Sequence, residues 1–291
     1  MTENQISLQE ELILKKDSIF MGRSILLALF LVCVYMYMFT LFSIFFINFL
    51  NPEIYDLGVK ITIFIIWLII ILLSWFTCLG IYAGNKFAIG IYTFFVSIIC
   101  LGLVLVSIIN IQIGNFMVLT MQILGFVINL FPCILIWKSK SIKNFFDYQR
   151  KIKEDINLKI KLDDEIAKVY IGKTISIALI FLFLYETTSL IAIFSNSFLL
   201  NYENSNMWIN YIFIIVEIIL GLCIYKLYKK EIKIKPIIMI MIVRLILNLI
   251  FIIALNRSFQ LIFITGMQHI LTISFLIMKK KEIDLYVDSE I

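Results

Sequence analysis

Glu186, Glu217, Arg244, Asn248 and His269 stand inside runs of sequence that are otherwise hydrocarbon. An Arg or Asp near the centre of a membrane helix costs about 2.5 to 3.5 kcal/mol on insertion scales, so such groups face the bundle interior and pair. Depth suggests the pairing. Glu217 precedes Lys226 by nine residues and Arg244 follows Lys235 by nine, which at 1.5 Å per residue places both about 13 Å from the inner boundary. The two runs form an antiparallel hairpin, making Glu217 with Arg244 the default ion pair. Asn248 is one turn above Arg244 on the same face, near the depth of Glu186, and Gln268 and His269 fall between those levels.

If Glu217 neutralises Arg244, Glu186 is left as an unpaired acid beside Tyr185, Thr187, Thr188 and Ser189. A desolvated carboxyl near the only histidine of the chain is suited to a proton relay or a cation site. The structural alternative is a helix-packing ion pair, with Glu186 neutral and hydrogen-bonded and His269 a bonded core residue. No HExxH, Gly-rich phosphate loop or paired Asp motif on facing helices is present, and one histidine excludes multi-histidine metal chemistry. The expectation is a non-enzyme with no catalytic residues, cofactor or metal; lipid modification through the acids stays open. Cys33, Cys78, Cys100, Cys133 and Cys223 lie inside apolar runs without paired spacing and read as small buried residues.

These side chains need elements that can carry them through lipid. Of 291 residues 62% are hydrophobic, and the mean hydropathy is +1.02, more apolar surface than one water-soluble core uses. Spanning as helix takes about 20 apolar residues. The segments that meet this are Ser24 to Phe49, Val59 to Tyr82, Phe87 to Ile109, Phe116 to Trp137, Thr174 to Ser195, Trp208 to Tyr225, Ile237 to Leu255 and Phe259 to Met278. The fold class is therefore all-α, polytopic, with eight spans. Pro132 marks a helix end or mild kink in the fourth. The acidic residues before the first run, and its length, argue against a cleavable signal peptide.

Of the 25 basic residues, 22 fall at one side of these spans, leaving Lys60 and Arg257 near the opposite face and Arg244 within a span. The positive-inside rule then puts both termini in the cytoplasm, the setting being a bacterial inner membrane. The loop carrying Pro52, Glu53 and Asp56 faces out. The net charge of +5 is met by anionic lipid at the cytoplasmic surface and calls for no nucleic acid. A membrane-protein partner or a second copy of the chain remains open.

Phe20 to Tyr35 lies over Tyr170 to Tyr185 at a constant offset of 150, with Gly22 on Gly172, Arg23 on Lys173, Ser24 on Thr174, Ile25 on Ile175 and Ala28 on Ala178. LQEEL at Leu8 matches LDDEI at Leu162 with a four-residue difference, about one helical turn. Two tandem four-span units follow, in parallel orientation because four is even. Chance likeness of two Ile/Leu-rich runs is the competing reading. The units are residues 1–137, with an N-terminal lead-in, and 174–291, with a short cytoplasmic tail, joined by a linker at 138–173. At the end of unit one, Trp137, Lys138, Ser139, Lys140, Lys143 and Phe146 resemble the tail of a small bacterial four-helix membrane family of unknown function. That family's tail reads aromatic-Lys-Ser-Lys-Arg-Val-Lys with a Thr-Phe pair; Ser141, Ile142 and Phe145 depart from it. The resemblance implies a four-helix integral membrane unit and no activity.

In the linker, Ile142, Phe145, Phe146, Ile152, Ile156 and Ile160 recur near helical spacing between charges, the pattern of an interfacial amphipathic helix. A docked helix joining two bundles is favoured over a partner-binding surface. Asp163 to Glu165 supply an acidic first turn for a helix toward span five. Ile6 to Phe20 reads as a solvated lead-in rather than an amphipathic helix. Together these features point to a small-solute or proton-coupled carrier using spans five to eight, or to an accessory membrane subunit whose ion pair fixes packing.

Overall fold

The computed structural model describes residues 10–50, 57–113, 116–160, 162–199, 207–254 and 259–290. Glu53, Asp56 and Arg257 lie outside these, as do the side chains of Lys60, Tyr185, Thr187, Thr188 and Ser189. The described residues are all-α. The first half has four long helices, α1 (Lys16–Leu50), α2 (Leu57–Tyr82), α3 (Lys86–Ile113) and α4 (Phe116–Lys138), then the short α5 (Lys140–Glu154). The second half repeats that order: α6 (Asp164–Leu199), α7 (Met207–Tyr228), α8 (Ile234–Ala254), α9 (Phe259–Met278) and the short α10 (Lys280–Asp288).

Within lipid a backbone N–H or C=O finds only its own helix as partner, so helix is the form in which long apolar runs can cross a membrane. Hydroxyls inside the runs are satisfied the same way: Thr93, Ser97 and Ser107 donate to carbonyls one turn back at 2.7 to 2.8 Å, and Thr174 and Ser176 do so at 2.8 and 3.0 Å. Four stretches are long and apolar enough to cross a membrane among the described residues: Lys16–Tyr35, Phe64–Tyr82, Lys86–Ile108 and Asp164–Leu184. Ile65, Ile66, Leu73 and Phe76 on α2 and Phe94, Phe95 and Leu101 on α3 point outward and exposed. Water would penalise such a face by roughly 25 cal/mol per Å², whereas acyl chains do not. Pro132 lies inside α4, which continues to Lys138, so it does not end the helix.

The two halves match in details that periodicity alone does not produce. A Cβ on Gly22 of α1 would lie 2.1 Å from the Ser141 carbonyl oxygen at the start of α5; one on Gly172 of α6 would lie 2.1 Å from the Glu282 carbonyl oxygen in α10. Each half's first helix thus touches the backbone of the short helix that follows its fourth. The turns after α2 and α7 correspond as well. Asn85 N–H bonds Gly80 O and Gly84 N–H bonds Ile81 O; Glu231 N–H bonds Lys226 O and Lys230 N–H bonds Leu227 O. Both are Schellman closures whose pivot is left-handed, Gly84 at φ 69° and Lys230 at φ 63°. The left-handed region costs a residue with a Cβ about 1 to 2 kcal/mol. The Lys230 ammonium offsets this by donating to Ser289 O at 2.8 Å and Ser289 Oγ at 3.2 Å.

Three expectations change at the basic end of the bundle. The N-terminal lead-in is helical over residues 10–14, with Leu12 and Ile19 buried in a cluster that includes Ile81, Ile136, Ile142 and Phe145; burying those two side chains outweighs solvation of the charges around them. The linker helix stops at Glu154, followed by a 3₁₀ turn at Ile156–Leu158. Ile156 is therefore exposed, while Ile152 and Ile160 still pack against the cluster. Its buried face, Ile142, Phe145, Phe146 and Tyr148, docks on the first half, with Ser139 as N-cap accepting from Ile142 N–H. Finally, the tail after α9 is the helix α10, buried through Ile283 and Tyr286. Tyr286 OH donates to Tyr228 O at 2.9 Å, and the adjacent turn is held by Lys233 to Asp288 at 2.9 Å.

The halves meet along α1 and α6. Phe20 and Tyr170 rings lie 5.1 Å apart, and Tyr170 OH donates to Asp17 at 3.3 Å. Deeper in the bundle Phe131 of α4 meets Phe181 of α6 edge to face.

A buried charge cluster in the second half

The polar cluster draws side chains from four helices. α6 supplies Glu186, α7 Glu217, α8 Arg244 and Asn248, and α9 Gln268 and His269. Arg244, Glu217 and His269 are buried, and the Glu186 side chain is 11% exposed. Arg244 is at the centre. Its Nη1 donates to Glu186 Oε2, and its Nε faces Glu217 Oε1 as an ion pair. The hairpin of α7 and α8 thus brings Glu217 and Arg244 together as their equal depths indicate.

Glu186 is not left unpaired. A guanidinium presents several donors in a fork, so one Arg can serve two carboxylates, and the depth arithmetic treated it as serving one. Gln268 Nε2 adds a second bond, to Glu186 Oε1 at 3.3 Å. Asn248 and His269 pair separately: Asn248 Nδ2 lies 3.2 Å from His269 Nε2. Which of the two donates depends on the imidazole tautomer and the amide orientation.

The two acids differ in how they are satisfied. Both Glu186 oxygens accept hydrogen bonds. Glu217 Oε1 is taken up by the ion pair with Arg244 Nε, whereas its Oε2 accepts no hydrogen bond among the described residues. Burying a carboxylate oxygen in this way costs several kcal/mol in general terms.

One contributor comes from the first half. Tyr35, on α1, shares a 2.8 Å hydrogen bond with Thr272 Oγ1 and reaches Gln268 O at 3.2 Å, while Thr272 Oγ1 donates to Gln268 O at 3.0 Å. The residue whose side chain holds Glu186 is therefore tied through its backbone to the other half. Sequence spacing did not single out Tyr35 or Thr272. The available cue was that Tyr35 lies within the segment matched between halves. Among the described residues no group of His, Cys, Asp and Glu has the arrangement of a metal site, and the five cysteines are free thiols.

No family model, curated protein or solved structure matches the chain.

Proposed function

We propose that the chain is an eight-span inner-membrane carrier for a small solute, coupled to protons, that works through the cluster of Glu186, Glu217, Arg244, Asn248 and His269. The observation that carries this reading is two buried carboxylates on a single guanidinium. A packing device needs one acid for one base; a second acid adds desolvation cost without balancing charge, and unbalanced ionisable groups inside a membrane are expensive enough to imply use. The cluster also draws its side chains from four helices and is tied to a fifth, so movement of either half changes its geometry.

The matched close approaches at Gly22 and Gly172, and the matched turns at Gly84 and Lys230, support two tandem four-helix units related by a pseudo-twofold axis along the membrane normal. In this arrangement the first unit is scaffold and the second bears the site. The basic turns, the linker and both termini then share the cytoplasmic surface with anionic lipid. The four-helix family resembled by Trp137 to Phe146 is consistent with such a unit.

Proteoliposomes under an imposed pH gradient, challenged with cationic, anionic and neutral small solutes, test the reading. Uptake of at least one solute above that of protein-free vesicles is expected. No movement of any solute rejects the carrier and favours an accessory membrane subunit, the second reading, for which the bonded Glu186 and His269 speak.

A further inference from the structure

Formal charges in the cluster do not cancel. Glu186 and Glu217 bring two negative charges and Arg244 one positive, and all three are buried or nearly so. Arg244 is the cation paired with both acids. His269 on α9 lies against Asn248, and Gln268 is neutral. Tyr35 on α1 points its hydroxyl at Thr272 and Gln268. Within a low-dielectric bundle an uncompensated charge is strongly unfavourable.

The position of the missing charge follows from the hydrogen bonds. Glu186 has both oxygens occupied, by Arg244 and Gln268. The Glu217 side chain is 9% exposed; its Oε1 is occupied by Arg244, and its Oε2 accepts no hydrogen bond among the described residues. Its carboxylate is thus the buried acceptor with open lone pairs beside an excess negative charge. We propose that Glu217 binds one exchangeable monovalent cation, a proton or an alkali ion, which completes the charge balance of the cluster. The proposal rests on the reading of this cluster as the working site. It moves the ion-coupling role from Glu186, to which depth alone assigned it, onto Glu217, and it gives Glu186 the role of positioning Arg244.

Dicyclohexylcarbodiimide tests this on the unaltered protein in lipid nanodiscs, since it modifies carboxyl groups that are protonated in apolar surroundings. Peptide mapping by mass spectrometry is expected to find the label on Glu217 and not on Glu186. Loss of label as pH rises, with sodium and choline chloride acting alike, identifies the cation as a proton. Protection by sodium but not by choline at one pH identifies an alkali ion. Label on Glu186 instead, or on neither acid at any pH, overturns the proposal. Labelling needs no solute, so the two readings fail separately. Labelled Glu217 with no solute flux removes the carrier and keeps the cation site; flux without Glu217 label does the reverse.

Discussion

Gly22 and Gly172, 150 positions apart, each lie where a single added carbon would stand 2.1 Å from a backbone carbonyl oxygen, of Ser141 in one half and Glu282 in the other. Neither obstacle is a flexible side chain end. Relief therefore requires moving α5 off α1 or α10 off α6.

Gly22→Ala and Gly172→Ala are each expected to destabilise the protein by about 1 to 3 kcal/mol, the usual penalty for overpacking. At Gly90 an added Cβ meets nothing, so Gly90→Ala is expected to be neutral or to stabilise by up to about 1 kcal/mol through helix propensity. Unfolding midpoints in one detergent check all three. Equal behaviour at the three positions would mean that the two glycines are not close-contact sites.

Arg244 serves two acids, so the single changes around it should be unequal. Removing one partner of a buried pair costs about 3 to 5 kcal/mol because it strands the other charge. Arg244→Ala strands both Glu186 and Glu217 and is expected to be the most damaging. Glu217→Ala leaves Arg244 paired with Glu186 and is expected to cost less. The double change Glu217→Ala with Arg244→Ala should recover part of the Arg244→Ala loss. Thermal stability in detergent reads the cycle, and three unchanged midpoints would mean that the ion pairs do not form.

The C-terminal helix supplies a pH dependence. Glu282 accepts from Lys279 at 3.0 Å, and that bond, with a backbone hydrogen bond, holds its carboxyl below the ordinary glutamate value. A carboxyl lowered in the folded state stabilises above its unfolded pKa, about 4.3, and the contribution is lost as pH falls through the folded value. Docking of α10 should be constant from neutral pH to about 5 and weaken below about 4.3. Glu282→Gln should remove that dependence. Hydrogen exchange of residues 280–288, corrected for intrinsic rates, measures it.

Much of this was legible in the chain, and the reasons are physical. Apolar runs of helical length force their own secondary structure in lipid, so the long helices follow from composition. Glu217 and Arg244 met because a short turn makes depth on α7 and α8 directly comparable. Gly22 and Gly172 stood out as a matched pair, but their cause, contact with Ser141 and Glu282, lies more than a hundred residues downstream. The same distance hid Tyr35, whose partners Gln268 and Thr272 are on the last long helix. The helix α10 was read as a tail although Ile283 and Tyr286 have helical spacing; its nine residues are too few for periodicity to stand out, and burial against α6 is what forms it. The pairing of Glu186 is not legible from depth, because counting depth assigns one partner per charge, whereas a guanidinium takes two.

The most direct measurement compares solute flux and thermal midpoint for Glu186→Gln and the unaltered protein in the same vesicle lipid. Glu186→Gln keeps the side-chain shape and can still meet Gln268, but it removes a charge from Arg244. The expected result is loss of flux with a midpoint shifted by no more than a few degrees, about 1 kcal/mol in a chain of this size. Full flux with a midpoint that falls steeply would contradict the functional reading and leave the cluster a packing device.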